Sequence, residues 1–501
     1  MATRATMIVP GQAQGAGAPL PAVSRRTVLA AAAAGGAGLA AARLLGIEAY
    51  SQLERVPITG TQANARGLDW VSPLAAEPAR VAHLLRRTAF GATAAELEQA
   101  QSDGWSRTID RMLETPAAQP PELSGAEAAA QGAPLQLAAL QQWWLDWMQT
   151  SPTPFIERMT LFWHGHFTSD FQKVGLQSPF LYWQNRTWRS FALGDLRSML
   201  TQVTVDPAML RYLDLATSTG RSPNENYSRA LMELFSMGAG SFTETDVQAA
   251  AKALSGWREP RTAAMIAYQR KQNPNLPAAV KPDEGRIGVF EKNRAYSGPP
   301  ITFLGERGTF ATEDIIDRIL KAASTAPYIV RKALVHFAMP QPPDALVARL
   351  GDRFRATGYD VRSLMRDIFT APEFSADAAY RSLVRSPTEF MLSTAKALEN
   401  PQLARLMLAG GPAMGQILFG PPSVGGWPEN ESWVSSNTML ARANFVTAAI
   451  AQTKKLPDSG RAAADVLDNT LSPQTLRLFN ESGGDQRRWA LLLVSPEFQL
   501  K

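Results

Sequence analysis

Two of the chain's four histidines, His164 and His166, stand one residue apart in the stretch Glu157-Arg-Met-Thr-Leu-Phe-Trp-His-Gly-His-Phe167. Paired neutral imidazoles are ligands for a divalent metal or agents of acid–base catalysis, provided that carboxylates join them from elsewhere. At 100° per residue Glu157 and His164 share a face within about 20° but lie roughly 10 Å apart along the axis, whereas His166 points about 200° away from His164. On an unbroken helix the two rings cannot meet one ligand. They converge if the helix ends near His164 and Gly165 turns the backbone. The same residues would also serve as two hydrogen-bonded histidines of an aromatic core.

A second cluster lies between Pro223 and Gly238, where Glu225, Arg229 and Glu233 follow one another at i, i+4 on a helix with Asn224 as its cap and Gly238 as its stop. A surface helix carries such pairs. Leu231, Leu234 and Phe235 on the same segment instead suggest a sandwiched helix, whose buried charges would need partners such as His164 or His166. A third place is the turn-rich loop Phe419-Gly-Pro-Pro-Ser-Val-Gly-Gly-Trp-Pro428, which displays Trp427, with Trp433 and Arg442 just beyond. The candidate catalytic residues are therefore Glu157, His164, His166, Arg229 and Glu233, with His164 and His166 as candidate ligands of a divalent metal. Asn224, Trp427, Trp433 and Arg442 are the candidate substrate contacts.

Other chemistries leave no trace. There is no His-Glu-x-x-His, Glu-x-x-His, Gly-x-Ser-x-Gly, Gly-x-x-x-x-Gly-Lys or Gly-x-Gly-x-x-Gly, which argues against zincins, ferritin-like di-iron proteins, serine esterases and nucleotide enzymes. Ser393-Thr-Ala-Lys396 matches a penicillin-binding tetrapeptide without its partner motifs. The absence of cysteine excludes disulfides, thiolate nucleophiles and thiolate-bound metals.

The elements that must position these residues are helical. With 501 residues, 45% hydrophobic and 19% charged, the chain can bury a large core. From Pro73 onward one helix follows another. Val81, Leu84 and Leu85 share a face that stops at Gly91; Thr93 with Glu96, Thr243 with Asp246 and Ser386 with Glu389 read as capping boxes. Trp143, Trp144 and Trp147 form a wide aromatic face that belongs in a core. Thr153 and Pro154 suit the N-cap and first position of a helix whose first turn holds Glu157, where the dipole favours a carboxylate. Residues 260–308, rich in proline, read as a long irregular crossover. The shared Pro-Glu-Phe at 372–374 and 496–498 is compatible with an old duplication or with helix-end chemistry alone. The expectation is an all-α fold, a large multi-helix domain of packed helix hairpins over residues 73–501.

Ahead of it, Arg25 and Arg26 precede a mildly apolar Ala/Gly run, so residues 1–45 match a twin-arginine export signal and 46–72 a linker. The run is too short and glycine-broken for a good anchor. No membrane span is expected in the mature chain, which would be periplasmic or extracellular. The net charge of +5 is scattered, and nothing suggests a nucleic-acid partner.

Six stretches in order resemble the family called domain of unknown function 1800: His83-Leu-Leu-Arg-Arg-Thr-Ala-Phe-Gly91, Leu161-Phe-Trp-His-Gly-His-Phe-Thr-Ser169, Asn224 through Phe235, Ala253-Leu-Ser-Gly-Trp257, Thr302-Phe-Leu-Gly305 and Pro421 through Pro428. The resemblance implies a mostly helical bacterial protein, often exported and often encoded beside a second exported protein of the phosphatase/sulfatase type. It also makes a His-x-His pair a family hallmark. Relatives tend to carry a His-Asp shortly before the Phe-Leu-Gly motif; here Phe290 through Gly298 has no histidine, leaving Glu291 or Tyr296 as substitutes. Two readings of function follow. One is an exported enzyme, hydrolytic in kind, with a His/Glu site; the other is a non-catalytic binding or assembly partner of a co-exported protein.

Overall fold

The computed structural model describes residues 71–126, 135–175, 179–278 and 280–501. The twin-arginine segment and nearly all of the linker lie outside the described residues. Twenty-two helices and two small antiparallel sheets make up the described chain, so the all-α class holds.

Helix α1 (Glu77–Thr88) pairs with α2 (Ala94–Glu114); left-handed Phe90 and Gly91 separate them, and the Thr93–Glu96 capping box starts the second. Helix α3 (Leu137–Thr150) carries Trp143 and Trp144 into the core. Helix α4 (Pro154–His166) follows, with every residue from Phe155 to His164 buried. Thr153 sits at its N-cap position, but the hydroxyl makes no capping bond. It accepts instead from the Ala118 amide, 3.2 Å away, where the preceding loop docks.

A helix enclosed on all sides must find partners inside for every polar group it carries. Glu157 receives Arg189 Nε at 2.6 Å and Nη2 at 2.9 Å, with the indole N–H groups of Trp144 and Trp147 each at 2.9 Å. Neither Glu157 nor Arg189 reaches water. Arg158, the next residue, pairs with Glu389, which also takes the Lys501 amine.

Around α4 lie α5 (Phe171–Val174), α6 (Phe180–Ser190), α7 (Leu196–Val205) and α8 (Pro207–Tyr212). Then come α9 (Glu225–Glu233) and α10 (Glu244–Ala253). Helix α9 ends earlier than the expected stop at Gly238. The amides of Phe235 and Met237 reach back five residues, to the carbonyls of Ala230 and Met232, and left-handed Gly238 closes the turn against the Tyr328 ring.

The crossover at 260–308 is less irregular than expected. It contains α11 (Ala263–Gln272), and strand β1 (Trp257–Arg258) pairs with β2 (Val289–Phe290), β3 (Ile301–Phe303) with β4 (Glu306–Gly308). Only Ala264 and Ile266 of α11 are buried, so it leaves no apolar stripe in the sequence.

The remaining helices are α12 (Thr312–Lys321), α13 (Thr325–Phe337), α14 (Asp344–Ala356), α15 (Val361–Thr370), α16 (Pro387–Ala397), α17 (Ala404–Ala413), α18 (Ser436–Ala451), α19 (Ser459–Leu467), α20 (Pro473–Glu481), α21 (Asp485–Val494) and α22 (Pro496–Gln499). The hydrophobic core runs from Leu84 to Phe498, beside a small second core of Leu74, Tyr380, Val384, Trp433 and Leu500. No helix among the described residues is long and apolar enough to cross a membrane.

Replacing Glu157 by Gln leaves Arg189 buried without a counter-ion, and breaking a buried pair costs about 3–5 kcal/mol. Urea unfolding of the Glu157→Gln chain should show a loss of that size. A change within about 0.5 kcal/mol, as at an ordinary surface position, would show that the pair does not hold α4 to α6.

Candidate functional site

The helix bearing the two histidines does not break at Gly165. It runs to His166, and the Phe167 amide still bonds the Trp163 carbonyl at 2.7 Å. The two rings therefore point apart, as the helical period requires, and do not face Glu233 together.

His164 turns toward the loop at 418–428, where its Nε2 accepts the Phe419 amide at 3.1 Å. The ring packs edge-on to Trp144 and Phe419 and lies 5.2 Å from Trp427. Gln141 and Thr168 bond the carbonyls of Leu418 and Val424, so the C-terminal end of α4 and its neighbour α3 strap this loop down. Gly426 is required there: a Cβ would collide with the carbonyl oxygen of Gly165. His166 turns the other way, and its Nε2 donates to the Phe235 carbonyl at 3.0 Å, just past α9. Burial lowers both imidazoles to about 3, helped at His166 by the nearby Lys332 charge.

The other candidates scatter. Glu157 is taken up by Arg189 and two indoles. Arg229 lies on the surface, paired with Glu244 at 2.6 Å and more loosely with Glu225 at 3.4 Å, so the ladder is a surface one. Glu233 is half-buried near Tyr328, whose hydroxyl donates to Leu234 O and is raised to about 12 by burial and the Glu233 charge. Asn224 accepts the Asn226 amide as a local cap. Trp433 is in the second core, and Arg442 is buried against Phe390, donating to Gln499 Oε1 and the Arg385 carbonyl. Glu291 is paired with Arg258 at 2.6 Å, and the Tyr296 hydroxyl donates to the Pro299 carbonyl, so neither fills in for a third imidazole. Among the described residues no group of three or more His, Asp or Glu side chains is placed to hold a metal ion. His164 and His166 cannot share one, because an unbroken helix separates them.

What the structure gathers instead is a cluster that spacing does not reveal. His336 on α13 donates from Nδ1 to Glu429 Oε1 at 3.1 Å and faces Arg158 Nη2 with its Nε2 at 3.4 Å. A chain of charged and polar groups thus runs from Lys501 through Glu389, Arg158 and His336 to Glu429, whose side chain is 49% exposed. Burial alone would raise the Glu389 carboxyl, yet Arg158 and Lys501 outweigh it and hold it well below the usual range. Burial brings the Lys501 amine down to about 7 against the pull of Glu389. Lys332 stands one turn before His336. Withdrawal from water lowers its amine, Glu429 opposing. The Phe162 ring lies between His166 and His336, at 6.0 and 5.3 Å. The sole sequence hint was Lys332 and His336 at i, i+4; nothing pointed to residue 429.

A family model described as "Protein of unknown function (DUF1800)" matches residues 83–500. The chain belongs to the DUF1800 family. No curated protein and no solved structure matches it. In this DUF1800 chain the His-x-His pair is a two-sided fastening: one ring holds the 418–428 loop, the other the end of α9.

The His164 fastening requires a neutral ring to accept its amide, and at His166 burial outweighs the carbonyl bond and keeps the ring neutral, which fixes the pH dependence. A histidine whose folded pKa is about 3 takes up its proton in the unfolded chain near 6.5, so its stabilisation is complete above pH 6.5 and is lost as pH falls toward 3. The expected slope is about 1.4 kcal/mol per pH unit for each ring. Ring NMR signals of His164 and His166 should stay flat from pH 8 to 5, and His164→Gln should lessen the acid loss in urea unfolding. Titration of either ring near pH 6.5 would contradict the burial argument.

Proposed function

We propose that this is an exported bacterial protein, periplasmic or extracellular, whose chemistry is acid–base and hydrolytic in kind and belongs to the edge formed by His166, Lys332, His336 and Glu429. The observation that carries this reading is the His336–Glu429 contact at 3.1 Å, a carboxylate oriented by an imidazole and half open to water. Clusters of perturbed titratable groups at a partly open edge are where acid–base sites occur. In this reading Glu429 takes a proton from water, Lys332 steadies developing negative charge and His336 positions Glu429. His336 is a positioning residue, since its Nε2 faces Arg158 rather than solvent. Trp427, half-buried against His164, stands two residues before Glu429 on the same loop.

The test is hydrolysis of aryl esters, aryl phosphates and aryl sulfates by chain purified from the periplasm. Loss of the general base costs about 10²-fold or more, so Glu429→Gln should lower turnover by that factor, while its exposed side chain leaves thermal stability unchanged. Turnover untouched by Glu429→Gln removes the edge from consideration.

A second reading, a non-catalytic partner of a co-exported protein, is favoured by one observation: Glu157 and His164 are wholly engaged in internal bonds. Absence of hydrolysis together with co-purification of a second exported protein would favour it. Export itself is checked separately. Replacing Arg25 and Arg26 by lysine should hold the chain in the cytoplasm if the twin-arginine machinery carries it.

A further inference from the structure

A cavity of about 630 Å³ opens between the turn leading into α10, the β3–β4 hairpin and the C-terminal end of α12. That volume suits a small molecule, for which sites of roughly 300–1,000 Å³ are usual. Met237, Phe242 and Leu304 give it an apolar wall.

Its charges are unevenly satisfied. Asp246 is taken up by its neighbours: one oxygen receives the Thr243 amide and hydroxyl at 2.9 and 2.7 Å, the other the Leu304 amide at 2.7 Å. Glu306 pairs with Arg318 at 2.9 Å, and that guanidinium lies over the Phe310 ring at 4.0 Å. Lys321 makes no direct hydrogen bond or contact ion pair among the described residues; its charge acts only at longer range, on Asp317. Asp317, one turn back, is itself bonded to Arg197. The Gly240 and Phe242 amides likewise find no acceptor among the described residues. Gly240 and Gly305 are left-handed, at φ +81° and +82°, with open space where a side chain would stand.

The β3–β4 turn adds a strained element. Leu304 adopts φ +46°, a conformation that costs a branched apolar residue about 1–2 kcal/mol, and the Asp246 bond to its amide holds it there. Backbone strain held in place by specific bonds is characteristic of ligand clamps. The Thr302-Phe-Leu-Gly305 stretch, prominent in the sequence, thus supplies the cavity's edge.

We propose that this cavity binds a small organic carboxylate with an apolar body. Lys321, which has no contact ion pair among the described residues, is the cation that draws the carboxylate, the Gly240 and Phe242 amides are donors in the same lining, and the apolar wall takes the body.

Isothermal titration of the full chain with phenylacetate, phenylacetamide and inorganic phosphate tests this. Phenylacetate should bind, with the neutral amide about fivefold weaker, the upper share of a single exposed ion pair. Lys321→Ala should lose the same factor, and Glu306→Gln, which frees Arg318, should gain several-fold. Lys292→Ala, on the crossover surface, should change nothing. Phenylacetate failing to bind at about 10 mM, a range of very weak affinity, would overturn the proposal. So would equal binding by Lys321→Ala, or phosphate binding more tightly than phenylacetate.

Discussion

The structure depends on how α4 carries two adjacent opposite charges into a region without water. An ion withdrawn from water costs several kcal/mol after relaxation, and the cost is offset only by partners held in good geometry. Glu157 meets that demand through α6, with Arg189 and two indoles from α3. Arg158, about 100° further round the helix, meets it through Glu389 at the start of α16 and, by way of it, Lys501. Two consecutive residues thereby tie α4 to two different helices, and a shift of α4 against either would strain one of the pairs.

The same requirement shapes the packing of α1 on the C-terminal half, where buried guanidinium groups outnumber buried carboxylates among the described residues. Arg87 donates to the Ala379 carbonyl, Arg381 to those of Leu467 and Thr470, and Arg442 to that of Arg385. Burial pulls Arg385 down to about 9 and Arg442 to about 10. Carbonyl oxygens satisfy the fork geometry of arginine without supplying a counter-charge. The packing is therefore specific but electrostatically tense, and Glu389, serving two cations at once, relieves part of it.

Local chemistry was legible in the sequence; long-range pairing was not. The boxes at Thr93, Thr243 and Ser386 stand where side chain and backbone spacing put them, because a cap involves residues three apart. The tryptophans of α3 were readable as core for the same reason. Glu157 looked like a first-turn carboxylate, and only the tertiary structure gives it Arg189. The end of α9 was misplaced because its last turn widens to five-residue bonds that no periodicity records. His336 and Glu429 are ninety-three positions apart, and no pattern within one chain announces such a contact.

The two histidines join the local and the long-range contacts at the end of α4. His164 accepts an amide, which only a neutral ring can do, and burial keeps His166 neutral while it donates to a carbonyl, so the partners assign the proton of His164 to Nδ1 and that of His166 to Nε2. A helix places residues two apart on opposite faces, which is the spacing needed to fasten one helix end to two elements at once. One element is the loop that continues to Glu429; the other is the turn that continues to Gly240. The edge assigned to acid–base chemistry and the cavity assigned to a carboxylate are thus both positioned from the end of α4, and a small displacement there would be felt in both.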